Sequence, residues 1–420
     1  MRRFAWFFAV LLVSTAAFGS GFQVTAQGAR AMGMGLAYTA VADDASAVFY
    51  NPAGLAFQEN ELIVGAMVAR NLEGNFTSSA GVTEEQQASD NLLPQLYYSR
   101  ALGGVRLGIG AYASFGLPMR WENPTTFSGR HSSTLANIRA LNLNPTVALH
   151  VTDNLAVGFG VDWTHSKVQL ERFREMTFPV GPGVTITRDI ARAKLQSDLA
   201  DSSGWGWNAG LMWRDGPWRL GVAYRSSIDL DHEGTLTVTQ VPTGIAAIDA
   251  AVLAGLPAGP LDASVPIELP SSLNLGLAYT IGGTTIAFDA DRTDWSSFSR
   301  LRIDVPARPD LTESRINDWE DTWAYRVGVE TKCGPIVCRA GYYRDQTPQP
   351  LANVGPILPD ADRQGYTVGI GLGPQNGRWS IDLANVYVRF DERTTTRPPS
   401  ELAGTWETTG NEFVVNFHWR

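Results

Sequence analysis

Five histidines, His131, His150, His165, His232 and His418, are the side chains suited by type to move a proton near neutral pH. None stands at a spacing from Ser or Asp that marks a nucleophile and its base, although such partners need not be close in sequence. The two cysteines, Cys333 and Cys338, flank the short stretch GPIV. In an oxidising compartment, cysteines on either side of a turn can pair across a hairpin. Zinc is the rival, but two thiols without a nearby histidine make a poor site. A Cys333–Cys338 disulfide is therefore expected, with no metal, no cofactor and no enzymatic activity.

The elements that carry these residues follow from the ends of the chain. Arg2 and Arg3 precede a mostly apolar run over residues 4–13, and Ala17-Phe18-Gly19 then sets small residues as at a cleavage site. This reads as a secretory signal peptide over residues 1–19, too short for a membrane helix. Beyond it no apolar run approaches the ~20 residues that a helical span needs. An exported chain of 420 residues without such a run is a soluble protein or an outer-membrane barrel.

Composition favours the barrel. The chain holds 42 Gly, 13 Trp, 12 Tyr and 18 Phe, and its mean hydropathy is −0.09. Aromatic residues anchor at membrane interfaces, and Gly suits tightly curved strands. A net charge of −9 with no basic tract argues against nucleic acid as a partner.

Period-two alternation recurs from about Glu61 onward. Leu155, Val157, Phe159, Val161 and Trp163 share one parity, while Ala156, Gly158, Gly160, Asp162 and Thr164 share the other. Phe413, Val415, Phe417 and Trp419 alternate with Val414, Asn416, His418 and Arg420 in the same way. About fourteen such strands can be read, an even number as bacterial barrels have. Their connections alternate between short and long. Leu102-Gly103-Gly104, Thr152-Asp153-Asn154 and Asp215-Gly216-Pro217 are short; residues 71–91, 116–137, 174–199 and 241–265 are long. A soluble sandwich has no reason to sort its loops, whereas an outer-membrane barrel keeps the long ones outside the cell.

The expected fold is thus all-β, a transmembrane antiparallel β-barrel of about fourteen strands, residues 59–420. Trp163, Trp213, Trp218, Tyr224, Tyr279 and Trp379 fall on the apolar parity near strand ends, where an aromatic girdle belongs. Arg106, Arg219, Arg225, Arg326 and Arg339 share the polar parity with Asp162, Asp289, Asp291, Asp382 and Glu330, giving a lumen of mixed charge. Most of these groups read as structural ion pairs. The turn-rich stretch ADDASAVFYNPAG precedes the first strand. Residues 20–58 are expected to fold into the lumen as an N-terminal hatch or plug.

Several stretches, in order along nearly the whole mature chain, carry a family resemblance. They include SGFQVTAQGARAMGMGLAYTAVADDASAVFYNPAG, SFGLPMRW, NLNPTVALHV, GWGWNAGLMW, LPSSLNLGLAY, TDWSSFSRLRI, DTWAYRVGVE and LPDADRQGYTVGIG. The sequence resembles the FadL-like long-chain fatty acid and hydrocarbon transporters of the Gram-negative outer membrane. The resemblance implies passive uptake of hydrophobic compounds by extracellular capture, lumenal binding and lateral release beside a kinked third strand. It also implies a hatch whose Asn-Pro-Ala motif, here Asn51, Pro52 and Ala53, contacts that kink. A structural or adhesive barrel is the alternative. The implied partners are a hydrophobic small molecule, outer-membrane lipid and lipopolysaccharide, and the barrel assembly machinery, with the chain a monomer. Barrels of this kind usually end in an aromatic residue; this sequence ends Phe417-His418-Trp419-Arg420.

Four site expectations complete the reading. Asn51 can bond backbone groups left unpaired by a kink, and Pro52 stiffens the contact. Gly108 and Gly110 on the third strand remove side chains from its lumenal face and permit a bulge. Ile245, Ile248, Val252, Leu253 and Leu256 approach helical spacing in an apolar loop, suggesting an extracellular capture groove. A carboxylate in an apolar pocket needs a cation; Arg172 and Arg302 are the expected ligand-binding cations, with Phe173 and Phe298 lining the apolar part.

Overall fold

The computed structural model describes residues 20–87, 91–197, 202–374, 377–397 and 402–420. The signal peptide expected at residues 1–19 lies outside them. Among the described residues, fourteen antiparallel strands close a barrel. They are β1 (Glu61–Ser78), β2 (Asn91–Leu102), β3 (Val105–Arg120), β4 (Leu135–Thr152), β5 (Leu155–Gly181), β6 (Ser203–Asp215) and β7 (Trp218–Arg225). Then follow β8 (Ser272–Ile281), β9 (Thr284–Thr293), β10 (Thr322–Cys333), β11 (Ile336–Asp345), β12 (Arg363–Leu372), β13 (Trp379–Phe390) and β14 (Gly404–Trp419). Closure runs from Leu62 opposite Trp419 to Ser78 opposite Gly404. A closed sheet leaves no edge, which is what lets strands cross a medium that cannot hydrogen-bond to the backbone.

The alternation sorts side chains as a barrel in lipid requires. Along β4, Leu141, Leu143, Val147 and Leu149 are exposed on the outside, while Asn142, Asn144, Thr146 and Ala148 are buried inside. The girdle aromatics fall on the outer face; the rings of Trp218 and Tyr279 meet at 4.5 Å. Short turns gather at one end, where Cys333 and Cys338 are joined with their Cα atoms 5.9 Å apart.

The other end holds more regular structure than expected. Within the stretch 174–199, expected from sequence to be a loop, residues 174–181 form the top of β5 and Val184–Ser197 a returning strand; residues 198–199 lie outside the described residues. Strands Ile228–Gln240 and Leu261–Leu269 extend this wall beyond β7 and β8. Their pairing continues the same ladder, so the backbone keeps its hydrogen bonds beyond the barrel rim.

Residues 20–58 lie inside the barrel, nearly all buried. They form helices Ala29–Gly33 and Ala47–Tyr50 and a 3-10 turn Pro52–Phe57. The segment is rich in Ala and Gly, so its backbone packs close to the wall. Lumenal charges hold it there. The Asp289 carboxylate accepts from the Tyr38 and Thr39 amides at 2.8 and 2.7 Å. Arg30 donates to Glu330 at 2.7 Å, and Arg219 to Asp43 at 2.8 Å. Other wall pairs are Arg225 with Asp162, Arg326 with Asp291, and Arg339 with Asp382 at 2.7 Å. Buried charges persist only when paired in this way.

Candidate functional site

Above the N-terminal segment the lumen opens into a cavity of about 1050 Å³ at the long-loop end. Leu170, Leu195, Leu236, Val238, Leu301 and Ile303 make its apolar wall. Arg172, Arg174, Glu313 and Arg315 form a charged band on the same surface. Glu313 is 2.8 Å from Arg174 and also paired with Arg172. Arg315 donates to Ser132 at 2.8 Å.

Below this cavity lies a smaller, apolar pocket bounded by Phe22, Ile138, Val168, Ile267, Phe298 and Trp319. Its aromatic residues touch edge to face. Phe22 meets Trp295 at 5.0 Å and Phe298 at 5.3 Å, and Phe298 meets Trp319 at 4.9 Å. The Trp295 indole donates to Ser20 at 2.7 Å. The floor of the pocket is therefore the start of the N-terminal segment.

The same residues reach the barrel wall. β2 pairs with β3 only from Leu96 opposite Ala111 to Leu102 opposite Val105. Higher up, Asn91–Gln95 of β2 pair with β1, while Tyr112 and the residues after it pair with β4, with a register shift between Ala113 and Phe115. Pro94, which has no amide donor, falls in the run that β3 leaves unpaired. The result is a window between the strands. Gln87 bonds to Arg120 at 2.8 Å above it. The N-terminal segment fills it as a short strap. Gly116 donates to the Phe22 carbonyl at 2.8 Å, and Val24 donates to the Ser114 carbonyl at 2.7 Å. Gln27 bonds to the Ala113 carbonyl, and Gln95 to the Ala26 carbonyl at 2.7 Å.

The family of Outer membrane protein transport proteins (OMPP1/FadL/TodX) matches residues 10–418. The chain belongs to this outer-membrane family. It is 24% identical to the "Long-chain fatty acid transport protein" of Escherichia coli O6:H1, over 98% of this chain and 96% of that protein. It is likewise 24% identical to "Outer membrane protein P1" of Haemophilus influenzae, over 91% and 88%. Among solved structures, a Pseudomonas aeruginosa FadL homologue superposes with a TM-score of 0.81 at 20% identity, covering 95% of this chain and 99% of that one. The Pseudomonas putida toluene transporter TodX gives 0.67 at 20% identity, covering 90% and 94%. These superpositions establish the shared barrel fold, and the long-loop end is the extracellular one.

Set in this FadL-type barrel, the residues singled out from sequence divide. Arg172 borders the outer cavity. Phe173 does not: it has the opposite parity and is buried on the far face of β5, its ring 6.0 Å from the Arg192 guanidinium. Phe298 lines the inner pocket. Arg302 lines neither of these two cavities. It belongs to a hairpin of Arg300–Ile303 with Glu313–Ile316, and alternation turns Leu301 and Ile303 inward and Arg302 outward to Asp304, 2.6 Å away. Arg174, Glu313 and Arg315 take the place expected of it. Parity would have found Arg174; the other two follow only from the loop hairpin.

The Asn51-Pro52-Ala53 motif lies against β5 and β6 rather than at the third-strand irregularity. The Asn51 amide donates to the Thr39 and Leu211 carbonyls at 2.9 and 3.2 Å, and its oxygen caps Ala53. Gly158 and Gly210 leave room for this approach; a Cβ on either would sit closer than 3.0 Å to the motif. Gly108 and Gly110 do face the lumen, against Val48 and Leu55 and against Tyr97 and Tyr112. The register shift falls at Ser114 instead, where the strap supplies the missing partners.

The expected capture groove is occupied by the protein itself. Helix Ala246–Gly255 lays Ile248, Val252 and Leu256 on Phe178, Ile190 and Ala191, an i, i+4, i+8 stripe. Ile245 and Leu253 remain exposed.

Two of the histidines make defined contacts with neighbouring groups. His232 Nδ1 faces the Val265 carbonyl and must carry the proton, so Nε2 accepts from Ser166 at 2.9 Å. Both residues are buried away from the two cavities. His131 sits between Asp189, 2.7 Å away, and Glu175, 3.4 Å away. Three such groups resemble a metal-ligand set, but Arg130 bonds to Asp189 at 2.8 Å and already supplies positive charge.

Proposed function

We propose that this chain admits hydrophobic molecules, fatty acids or hydrocarbons, passively across the outer membrane. The ligand enters the outer cavity, moves to the aromatic pocket and leaves sideways through the window between β2 and β3. Residues 20–58 act as the hatch, after removal of a signal peptide over residues 1–19. The barrel works as a monomer among lipid and lipopolysaccharide, inserted by the barrel assembly machinery, with no catalytic step. The relatives named for fatty acid and toluene transport support this class of cargo.

One observation carries the reading. Phe22 is at once part of the pocket floor and part of the strap, its ring against Phe298 and its carbonyl on Gly116. A ligand wedged beside the ring pushes on the residue that stops the window. An apolar pocket with few polar groups suits such cargo, and an exit into lipid spares it a crossing through water.

The test is uptake of labelled dodecanoate and toluene by cells that rely on this barrel, compared with a Phe22→Ala variant. The expected outcome is uptake by the parent and an altered rate in the variant, with the barrel assembled in both. Permeation no faster than through membranes lacking the protein, for either compound, overturns the reading and favours a structural barrel.

A further inference from the structure

The charged band of the outer cavity contains its own anion. Glu313 bridges Arg172 and Arg174, and each of the three side chains is 29% exposed. They are open enough for a cavity ligand to reach and covered enough to feel one another. Glu313 is carried by the hairpin Arg300–Ile303 with Glu313–Ile316. Two residues of that hairpin, Leu301 and Arg315, border both the outer cavity and the inner pocket. With Leu170 and Ile357, which also border both, the hairpin forms part of the partition between the two compartments, and the Glu313 pairs tie it to β5.

We propose that Glu313 is an internal counter-anion which an acidic ligand displaces, and that this exchange unlatches the partition. The inference rests on the uptake reading and specifies how its site is regulated. An arriving carboxylate finds both arginines already paired. It gains their charge-assisted hydrogen bonds only by releasing Glu313 toward water, so one carboxylate is exchanged for another. Capture is then weak and reversible, which suits a passive carrier. The hairpin loses its tie at the moment the cavity fills. A neutral hydrophobe makes no exchange and passes without this step. Glu313 thereby sets how the barrel treats acids relative to neutral molecules of the same length.

The experiment uses the full-length mature protein in detergent and compares binding of dodecanoate and 1-dodecanol. Glu313→Gln is expected to tighten dodecanoate binding about tenfold, because the competitor is gone and the arginines remain. Dodecanol binding should stay within about twofold. Glu313→Asp, which keeps the charge, should remain near the parent for both. Unchanged or weaker dodecanoate binding by a correctly assembled Glu313→Gln barrel overturns the proposal. An equal shift for both ligands also overturns it, since that marks a packing role. Failure of the parent to bind either ligand sinks the uptake reading instead.

Discussion

The backbone N–H of Val24 donates to the carbonyl oxygen of Ser114 at 2.7 Å, across the stretch of β3 that β2 leaves unpaired. A bare carbonyl in a wall surrounded by lipid costs several kcal/mol, so the strap completes the sheet where the sheet itself is open. Where water takes the lost partner's place, each such bond contributes only about 1 kcal/mol net, so the closure is detachable only as water or another partner reaches the freed carbonyls. Replacing Val24 by Pro removes the donor. Amide exchange at residues 22–28 should quicken and hydrophobe delivery should rise, while the barrel still assembles. Exchange as slow as in the parent would show that the strap is held by other contacts.

The docking of the N-terminal segment against β6 is steric as much as polar. A Cβ on Gly210 would press on Asn51 and Pro52. Gly210→Ala should therefore destabilise the docked segment by about 1–3 kcal/mol, as should Asn51→Ala through loss of its two carbonyl bonds. Gly259→Ala, in an open loop with nothing near its Cβ, is the control. Protease cleavage within residues 20–58 reads the difference; equal resistance in all three variants counts against the docking role.

The extracellular helix makes a further distinction between neighbours in sequence. Val252 is buried against Ile190 and Ala191, while Leu253 is 63% exposed. Val252→Ala should loosen the helix by about 1–2 kcal/mol, seen as faster amide exchange over residues 246–255. Leu253→Ser should leave exchange there unchanged. If Leu253→Ser alone weakens ligand uptake, the exposed residues rather than the packed stripe serve capture.

Much of the barrel was legible because its signal is local. Alternation in β4 or β5 reports which side chain meets lipid and which meets the lumen, and turn residues mark the short end. The site was less legible because it is assembled from loops. Arg172 kept its strand parity, so its position could be followed upward. Arg302 could not, because the 3-10 turn Trp295–Phe298 resets the phase before the loop hairpin begins. Asn51 shows another limit. Its type announces backbone bonding, but which strand it meets depends on where Gly158 and Gly210 admit the chain. Apolar spacing announces the extracellular helix, yet the same spacing serves packing on Phe178 as well as exposure, and only the fold decides.

The link between the extracellular loop and the β5 hairpin should depend on acidity through Asp189. Burial pushes its carboxyl up, but hydrogen bonds from Arg130 and His131 more than offset this and hold it below the usual carboxylate range. A depressed folded value means the contribution is complete above the unfolded value of about 3.9 and fades as pH falls through the lower folded one. The pair lies at a partly exposed surface, so salt screens it and the effect stays local. Loop residues 121–134 should thus become more susceptible to an acid-active protease such as pepsin as pH drops below about 4. Asp189→Asn should show that susceptibility already at higher pH, with the barrel unaffected. A parent protein whose loop is cut equally at every pH, after correction for protease activity, would leave Asp189 no part in holding it.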